Sequence, residues 1–279
     1  MIYRLNKKNE STDFMGGKAK NLVKLNENYF NVPNFIVFSN SFFLNLIQSH
    51  GSKVIFDEML HDIEKSKLRL IEILSSKDVK QAINDELDCE NDELFAVRSS
   101  GNLEDSSSSS FAGIFDSYLN IEEDCIAEKV VQCWLSIFKK SVIEYLGSRD
   151  LSFNNLEMNV IVQVMIDSDF SGVIFTRNPI TTENDIVIEI AKGLGEDVVS
   201  GNLIPFTYVI NREEKKFNPL NISDSLKNSD IVKELSSDII PLLYEQAISI
   251  EKTFQWDADI EFAIKGGIIY ILQVRPITN

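Results

Sequence analysis

The C-terminal segment DADIEFAI-KGG-IIYILQVRP restricts the fold most, because two runs of alternating residues flank a turn with two glycines. Such a pattern is typical of an antiparallel β-hairpin. If Lys265, Gly266 and Gly267 form a three-residue loop, the odd-numbered residues of both strands share one face. A two-residue loop would shift one strand and break this agreement. The polar face then carries Asp259, Glu261, Gln273 and Arg275, and the apolar face carries Ile260, Phe262, Ile264, Ile268, Tyr270, Leu272 and Val274.

The polar face of this hairpin has the composition of a magnesium and phosphate site. It combines two carboxylates, one amide and one guanidinium. Carboxylate and amide oxygens are hard ligands that suit Mg²⁺, and a guanidinium is a planar donor to phosphate oxygens. The same alternation is also typical of an ordinary hairpin with a polar outer face, so the spacing alone leaves both interpretations open.

Helix and strand patterns are mixed along the rest of the chain. Apolar residues recur at helical spacing over 122–146, and further helices are predicted over 17–27, 56–75 and 231–254. Short strands are predicted at 35–38, 94–97, 159–165, 172–176, 185–190, 207–210 and twice after Asp257. Because strict βαβ alternation is missing, we predict an α+β fold. The change from helix-rich to strand-rich sequence predicts two lobes, residues 1–165 and 166–279.

Charge and cysteine content narrow the classes of partner. The chain has a formal net charge of −16, whereas nucleic acids and anionic membranes are bound by clustered Lys and Arg. No run reaches the roughly 18 apolar residues of a membrane span, and the N-terminus does not resemble a signal peptide. Three cysteines without a CxxC pair favour free thiols in a reducing compartment. We expect a soluble, cytoplasmic protein that binds neither nucleic acid nor membranes.

Two segments nearer the N-terminus are candidates for anion binding. In FMGGKAKNLVKL, two glycines and Lys18 begin a helical pattern, so backbone N–H groups, the helix dipole and an ammonium group would meet there. In VRSSGNLEDSSSSSFAG, Arg98 ends a strand and precedes small hydroxyl-bearing residues that can close over phosphate groups. A simple turn before a helix and a disordered surface loop remain open as alternatives.

Six segments resemble, in the same order, the nucleotide-binding domain of phosphoenolpyruvate synthase, pyruvate phosphate dikinase and rifampicin phosphotransferase. They are GGKAKNL, VPNFIVF, VRSSGNLEDSSSSSFAGIFDSYLN, VIVQVMIDSDFSGVIFTRNP, GLGEDVVSG and DIEFAIKGGIIYILQVRPIT. The matching motifs extend from residue 14 to residue 278 and so cover nearly the whole chain. The resemblance implies an α+β, two-lobed ATP-grasp-type fold with ATP in a cleft between the lobes.

The resemblance also implies a set of phosphate and metal ligands. Carried over by position, Lys18, Arg98 and Arg275 would bind the triphosphate and act in catalysis. Glu261 and Gln273 would hold Mg²⁺. The hairpin pattern independently predicts that Glu261, Gln273 and Arg275 share one face.

Further positions are implied to contact the rest of the nucleotide. Gln163, Val164 and Met165 would form the hinge segment beside the adenine, and Glu189 would lie near the ribose. The serine run, with its last members at positions 109 and 110, occupies the place of the phosphate-covering loop of the family.

Ser109 and Ser110 are therefore implied to contact phosphate. The family loop usually reads A-x-A-E-D-L-P before its small residues, whereas this chain has GNLED followed by serine without proline, so the loop geometry is expected to differ.

The function implied by the resemblance is an ATP-dependent phosphotransferase, a dikinase-like kinase module that activates MgATP. It would pass the β-phosphoryl group to a histidine on a separate domain or chain and release AMP and phosphate. Neither His50 nor His61 lies in the T-S-H-A type motif of the family's phosphocarrier domain, so a histidine-bearing partner is expected. A free-standing small-molecule kinase and a non-catalytic ATP sensor are the alternatives.

Overall fold

The computed structural model describes residues 1–5, 12, 15–50, 63–87, 93–102, 105–106, 109–110, 115–148, 156–193, 205–220, 232 and 235–277. The chain divides into two compact units. The first contains Met1–Lys20 and Asn34–Met165, and the second contains Asn21–Pro33 and Ile166–Asn279. In these ranges, no helix combines the length and the apolar character that crossing a membrane requires.

Strands and helices of the first unit alternate irregularly. The strands are β1 (Ile2–Arg4), β2 (Phe35–Phe38), β3 (Phe95–Gly101), β4 (Asp105–Ser106), β5 (Ser109–Ser110), β6 (Ser117–Ile121) and β7 (Met158–Val164). The helices are α1 (Gly17–Glu27), whose last seven residues belong to the second unit, α2 (Asn40–His50), α3 (Ile63–Leu74), α4 (Lys77–Asn84), α5 (Glu123–Leu135), a 3₁₀ turn (Ser136–Phe138) and α6 (Lys140–Ser148).

The first unit is built on an antiparallel sheet with the strand order β1-β2-β7-β3-β6. Its strands β2 and β7 are apolar runs that are buried along almost their whole length, as expected for inner strands. One face of the sheet packs into a core centred on Trp134 of α5, which is fully buried. The ring of Phe43 from α2 lies 4.9 Å from the Trp134 ring, centroid to centroid.

The second unit contains the larger sheet. Its strands are β8 (Phe170–Phe175), β9 (Ile186–Lys192), β10 (Phe206–Ile210), β11 (Pro219–Leu220), β12 (Ala258–Lys265) and β13 (Ile268–Pro276), in the antiparallel order β11-β10-β9-β8-β12-β13. A π-helical turn (Leu235–Ile239) leads into α7 (Ile240–Phe254), which contacts β8 and β12. Leu243 of α7 and Ile174 of β8 are both fully buried. Two antiparallel sheets with helices confirm the predicted α+β class.

The predicted continuous helix over 122–146 is wrong in one respect, because the chain breaks between α5 and α6. Ser136 turns its hydroxyl back to the carbonyl oxygen of Cys133 at 2.6 Å, and Lys139 has extended backbone with φ −65° and ψ 142°. A side-chain hydrogen bond of this kind competes with the regular helical ladder. The apolar spacing continues across the break, so the sequence pattern does not reveal it.

The C-terminal hairpin has a two-residue turn, so the predicted three-residue loop is wrong. Lys265 pairs directly with Ile268, and Gly266 and Gly267 both have positive φ, at 57° and 78°. Two consecutive residues of this kind are typical of a type I′ turn, whose twist matches that of the strands.

A β-bulge compensates for this shorter turn. The register shifts by one residue between Glu261 and Phe262, so Leu272 of β13 is the extra residue in the ladder. Beyond the bulge, odd-numbered residues of the two strands lie opposite each other, so the predicted sharing of one face holds there, although each partner is two positions later than a three-residue loop would give. On the turn side the predicted faces do not hold, because Ile268 and Tyr270 lie opposite Lys265 and Ala263, on the polar side of the hairpin and outside the predicted apolar face.

Candidate functional site

The start of α1 packs against the end of β3 within the first unit. The Lys18 ammonium donates a hydrogen bond to the carbonyl oxygen of Ser99 at 3.2 Å. The backbone N–H of Ala19 donates to the Ser100 hydroxyl at 3.3 Å. A Cβ at Gly16 would lie 2.3 Å from the Ser100 carbonyl oxygen, so only glycine permits this approach. The glycine–lysine motif and the VRSSG strand are thus parts of one local structure.

Arg98 lies in the middle of this sheet and is only partly buried. It pairs with Ile161 of β7 on one side and with Ser117 of β6 on the other. Because side chains alternate along a strand, Arg98 shares a sheet face with Ser100, while Val97 points into the core on the opposite face. Arg98 is the middle residue of β3, so the prediction that it ends the strand is wrong. It directly precedes Ser99, whose carbonyl oxygen accepts the hydrogen bond from Lys18.

Part of the serine run forms a short antiparallel ladder. Strands β4 and β5 pair Asp105 with Ser110 and Ser106 with Ser109. The side chains of these four residues and the intervening residues 107–108 lie outside the described part of the chain, so the predicted phosphate contacts of Ser109 and Ser110 stay a prediction.

The segment predicted to form the hinge lies at the end of β7. Gln163 is buried within the sheet, with 2% of its surface exposed. The backbone N–H of Val164 donates to the carbonyl oxygen of Asn34 at 2.9 Å, and that of Met165 donates to the carbonyl oxygen of Leu94 at 2.8 Å. Since both of these donors are used within the unit, a base beside this segment would meet its carbonyl oxygens and side chains.

The polar face of the C-terminal hairpin consists of two cross-strand pairs. Asp259 lies opposite Arg275, and Glu261 lies opposite Gln273. Both Nε and Nη2 of Arg275 lie 2.8 Å from the same carboxylate oxygen, Oδ2 of Asp259. The Gln273 amide donates to Oε1 of Glu261 at 3.1 Å. The predicted grouping of these four residues is therefore present, although the turn was predicted wrongly.

The electrostatics of the Asp259–Arg275 pair are set mainly by burial. Burial raises the pKa of Asp259, the nearby guanidinium of Arg275 opposes this change, and the charge of Glu261 adds to it. The net direction is upward, which fits a carboxylate with 11% side-chain exposure beside a guanidinium that keeps 39%. Asp259 belonged to the predicted polar face but had no assigned role, and the structure makes it the partner that orients Arg275.

Glu189 lies in the same row of the second sheet as the metal candidates. It pairs with Val173 of β8, Val173 pairs with Glu261 of β12, and Glu261 pairs with Gln273. Residues directly opposite each other in an antiparallel sheet share a face, and neighbouring strands are about 4.8 Å apart. The Glu189 and Glu261 backbones are therefore separated by about two strand spacings, or roughly 10 Å. The sequence motifs gave no indication of this shared row.

Glu261 and Gln273 fit a magnesium ion whose remaining ligands come from elsewhere. Nowhere in the described ranges do three or more His, Cys, Asp or Glu side chains form a group able to hold a metal. Mg²⁺ usually takes one or two protein carboxylates and completes its shell with waters and phosphate oxygens. With its N–H group turned to Glu261, the Gln273 amide keeps its carbonyl oxygen for a ligand. This oxygen set suits a metal bound together with a nucleotide.

Some predicted features lie outside the described residues. The motif GLGEDVVSG is described only at Gly193, because residues 194–204 are outside those ranges. The same holds for His61, and for His50 only the helical backbone is described.

Comparisons with known proteins agree with these motifs. The family model "Pyruvate phosphate dikinase, AMP/ATP-binding domain" matches residues 12–279. The uncharacterized phosphotransferase YvkC of Bacillus subtilis is 34% identical over 97% of this chain and 34% of its own length. A probable phosphoenolpyruvate synthase of Archaeoglobus fulgidus is 32% identical over 95% of this chain and 40% of its own length. The chain thus spans between a third and two fifths of the length of these curated relatives.

Among solved structures, D-alanine–D-alanine ligase from Helicobacter pylori aligns with 91% of this chain and 51% of its own, at 9% identity and a TM-score of 0.38. The family match extends over nearly all of the sequence and includes every predicted site residue. It confirms the family that the motifs resemble, and the ATP-grasp-type fold that the resemblance implies stays a prediction. The chain belongs to the family of pyruvate phosphate dikinase AMP/ATP-binding domains.

Proposed function

We propose that this chain is the ATP-activating module of a phosphotransferase. In the proposed reaction, the β-phosphoryl group of ATP passes to a histidine on a separate domain or chain. The γ-phosphate is released as inorganic phosphate, one water is consumed, and AMP is the other product. The relatives named phosphotransferase and phosphoenolpyruvate synthase support this class of reaction.

The polar face of the C-terminal hairpin supports the proposal most directly. Glu261 and Gln273 lie side by side with their oxygens suited to Mg²⁺, next to the Arg275 guanidinium. In the proposed site Mg²⁺ would supply charge neutralisation between phosphate groups, and Glu261 and Gln273 would hold it. Arg275 would donate to phosphate oxygens, oriented by its hydrogen bond and ion pair with Asp259.

Lys18 and Arg98 are the further cations of the proposed site. Lys18 lies at the start of α1, where backbone N–H groups and the helix dipole also favour an anion. Arg98 adds a planar donor from β3, and Ser109 and Ser110 would contact the phosphates from the adjoining ladder. Phosphoryl transfer depends chiefly on positioning and on neutralising phosphate charge, so these residues would act by electrostatic stabilisation.

The adenosine part of ATP is assigned to two further positions. Gln163, Val164 and Met165 would lie beside the adenine, and Glu189 would accept hydrogen bonds from the ribose. The row that joins Glu189 to Glu261 supports this assignment, because about two strand spacings is a distance that one nucleotide can cover. The lobe limits 1–165 and 166–279 are part of the same proposal.

The place of the reaction is proposed to be the cytoplasm. Cys125 and Cys133 are free thiols, one exposed and one buried, which suits a reducing compartment. The acidic net charge of −16 disfavours nucleic-acid and anionic-membrane partners. The expected partner is the histidine-bearing domain or chain that the proposed transfer requires.

Position-specific labelling of ATP tests the reaction. The chain would be mixed with Mg²⁺ and the purified histidine-bearing domain of a phosphoenolpyruvate synthase, using ATP labelled at either the β- or the γ-phosphate. We expect acid-labile label on the added domain only from β-labelled ATP, with free phosphate only from γ-labelled ATP and AMP as nucleotide product.

The alternatives give different outcomes in the same experiment. ADP formed only after addition of one metabolite, without the added domain, would support a free-standing small-molecule kinase. Nucleotide binding without any turnover would support an ATP sensor. Either result would contradict the proposed transfer.

A further inference from the structure

Strand β6 contains an irregularity opposite β3. Strand β3 lies between β6 and β7, and β7 leads into the proposed adenine segment. Phe95 of β3 pairs with Ile121, but Val97 pairs with Tyr118. Two residues of β6, Leu119 and Asn120, therefore lie against the single residue between Phe95 and Val97. Such a bulge bends the strand and redirects the backbone groups of the extra residues.

Asn120 adopts a left-handed backbone conformation within this bulge, with φ of 56°. Asparagine tolerates this region better than other residues with a Cβ, and β-branched residues tolerate it least. In this conformation the Asn120 backbone N–H points at the Met165 thioether, with a nitrogen–sulfur distance of 3.0 Å. The backbone N–H of Asn120 in this bulge therefore donates to a side chain, the Met165 thioether.

Met165 is held at two points as a result. Its backbone N–H donates to the Leu94 carbonyl oxygen at 2.8 Å, and its sulfur accepts from Asn120. A methionine side chain has several freely rotating bonds, so fixing its sulfur removes conformational freedom before any ligand arrives. Because the N–H groups of Val164 and Met165 are both used within the unit, the segment can present its carbonyl oxygens and side chains to a base, and the Met165 thioether is one of these groups.

We propose that Asn120 is a positioning residue that fixes the Met165 side chain as a wall of the adenine site. The ligand class is the planar purine base of the nucleotide, against which a polarizable sulfur packs favourably. Preorganising that wall lowers the entropy cost of binding the base. This inference rests on the proposed function, since it requires that residues 163–165 lie beside the adenine.

The test compares ligands with and without a base. The dissociation constant for MgATP would be measured by calorimetry, and that for magnesium tripolyphosphate by displacement of a fluorescent ATP analogue. Asn120→Val strains the left-handed position, Asn120→Gly keeps both that conformation and the N–H donor, and Met165→Leu keeps the volume but removes the sulfur acceptor. Thermal melting of each variant checks that it is folded.

We expect Asn120→Val and Met165→Leu each to weaken MgATP binding about three- to tenfold, which lies within the range of sulfur–aromatic contacts, and to change tripolyphosphate binding less than about twofold. Asn120→Gly should bind both ligands like the parent chain. The double variant Asn120→Val/Met165→Leu should be no weaker than either single variant, because both remove the same contact.

Several results would overturn the inference. Additive effects in the double variant, an Asn120→Gly variant as weak as Asn120→Val, or equal losses for ATP and tripolyphosphate would each exclude positioning through the backbone N–H. If Asn120→Val fails to fold, the test rests on Met165→Leu. A ratio of the MgATP and tripolyphosphate dissociation constants that is the same in Met165→Leu as in the parent chain then rejects the inference. A parent chain that binds no ATP would instead reject the proposed function.

Discussion

Arg275 directs two of its donors, Nε and Nη2, at the same oxygen of Asp259, each at 2.8 Å. The carboxylate is nevertheless buried enough that its pKa is raised above the ordinary value. Burial therefore outweighs the guanidinium in setting the protonation of Asp259. The ion pair holds Arg275 in place, but burying the charged Asp259 carboxylate has a cost in folding free energy.

This cost predicts a pH dependence of folding. Because the pKa of Asp259 is higher in the folded protein than its ordinary value of 3.8, the folded state binds a proton more tightly than the unfolded chain. The stability contributed by this proton is present in full below 3.8 and is lost as the pH rises through the raised folded-state pKa.

We expect the free energy of unfolding of the parent chain, relative to Asp259→Asn, to fall as the pH is raised from about 4 to 7. Urea unfolding at several pH values measures this difference, with Asp238→Asn as an exposed control in the same unit. A difference that rises with pH would show that the Arg275 guanidinium affects the pKa of Asp259 more strongly than burial does, so that this pKa is lowered.

Glu189 gives a prediction about the sugar of the nucleotide. If its carboxylate accepts a hydrogen bond from the ribose 2′-hydroxyl, the parent chain should bind ATP more tightly than 2′-deoxy-ATP. Hydrogen bonds to charged groups contribute about 1.5–3 kcal/mol, so Glu189→Gln should weaken ATP binding by about tenfold or more and bring the two dissociation constants together.

Calorimetric titrations of both nucleotides measure the ratio for the parent and for Glu189→Gln. Glu245→Gln, at an exposed position of α7, is the matched control and should leave the ratio unchanged. A parent chain that binds both nucleotides equally would exclude this role for Glu189.

Gly16 is predicted to be essential for the local structure around Lys18. A Cβ there would lie 2.3 Å from the Ser100 carbonyl oxygen, so Gly16→Ala must displace backbone and should destabilise the chain by about 1–3 kcal/mol. Gly147→Ala is the opposite case, because a Cβ at this helical position meets nothing within 4 Å and should stabilise by about 0.4–1 kcal/mol. Thermal or denaturant unfolding of both variants tests this; similar effects at the two positions would contradict the packing of α1 on β3.

Arg212 is predicted to anchor helix α7 to the second sheet. Its Nη1 lies 2.8 Å from Glu251, and its guanidinium also donates to the carbonyl oxygens of Asn184 and Thr176. Both partners of the ion pair are largely buried, with 21% and 22% of their side chains exposed. Removing one partner of a network of this kind leaves polar groups unsatisfied, so Arg212→Met should cost about 2–4 kcal/mol.

An exposed ion pair supplies the comparison for Arg212. Lys140 and Glu144 lie one helical turn apart at 3.4 Å, with 90% and 64% of their side chains exposed. Lys140→Met should therefore change the free energy of unfolding by no more than about 0.5 kcal/mol. Equal losses for the two variants in urea unfolding would be inconsistent with the buried network.

The sequence predicted the polar face of the hairpin correctly although it predicted the turn wrongly. Asp259, Glu261, Gln273 and Arg275 lie on one face because a bulge at Leu272 offsets the two-residue glycine turn. Alternation along each strand reports which residues share a face, but it does not report where the ladder gains a residue. Ile268 and Tyr270 were therefore assigned to the wrong face.

Long-range register was the main feature that the sequence did not reveal. The row that joins Glu189 to Glu261 depends on the order of β9, β8 and β12, and no local pattern specifies this order. The contact of Asn120 with Met165 depends on the left-handed backbone conformation of Asn120, which the sequence YLN does not predict. By contrast, the α+β class and the start of α1 at Gly17 follow from periodicity and from the paired glycines.

A calorimetric titration with MgATP tests the central claim most directly, using the parent chain, Lys18→Ala and Glu261→Gln. Lys20→Ala and Glu245→Gln, at exposed helical positions, are the matched controls. We predict that the parent and both controls bind alike, and that the two site variants bind at least about tenfold more weakly, as expected for loss of a charged contact. A parent chain that binds no MgATP, or site variants that bind as tightly as their controls, would contradict the assignment of Lys18 and Glu261 to a magnesium–nucleotide site.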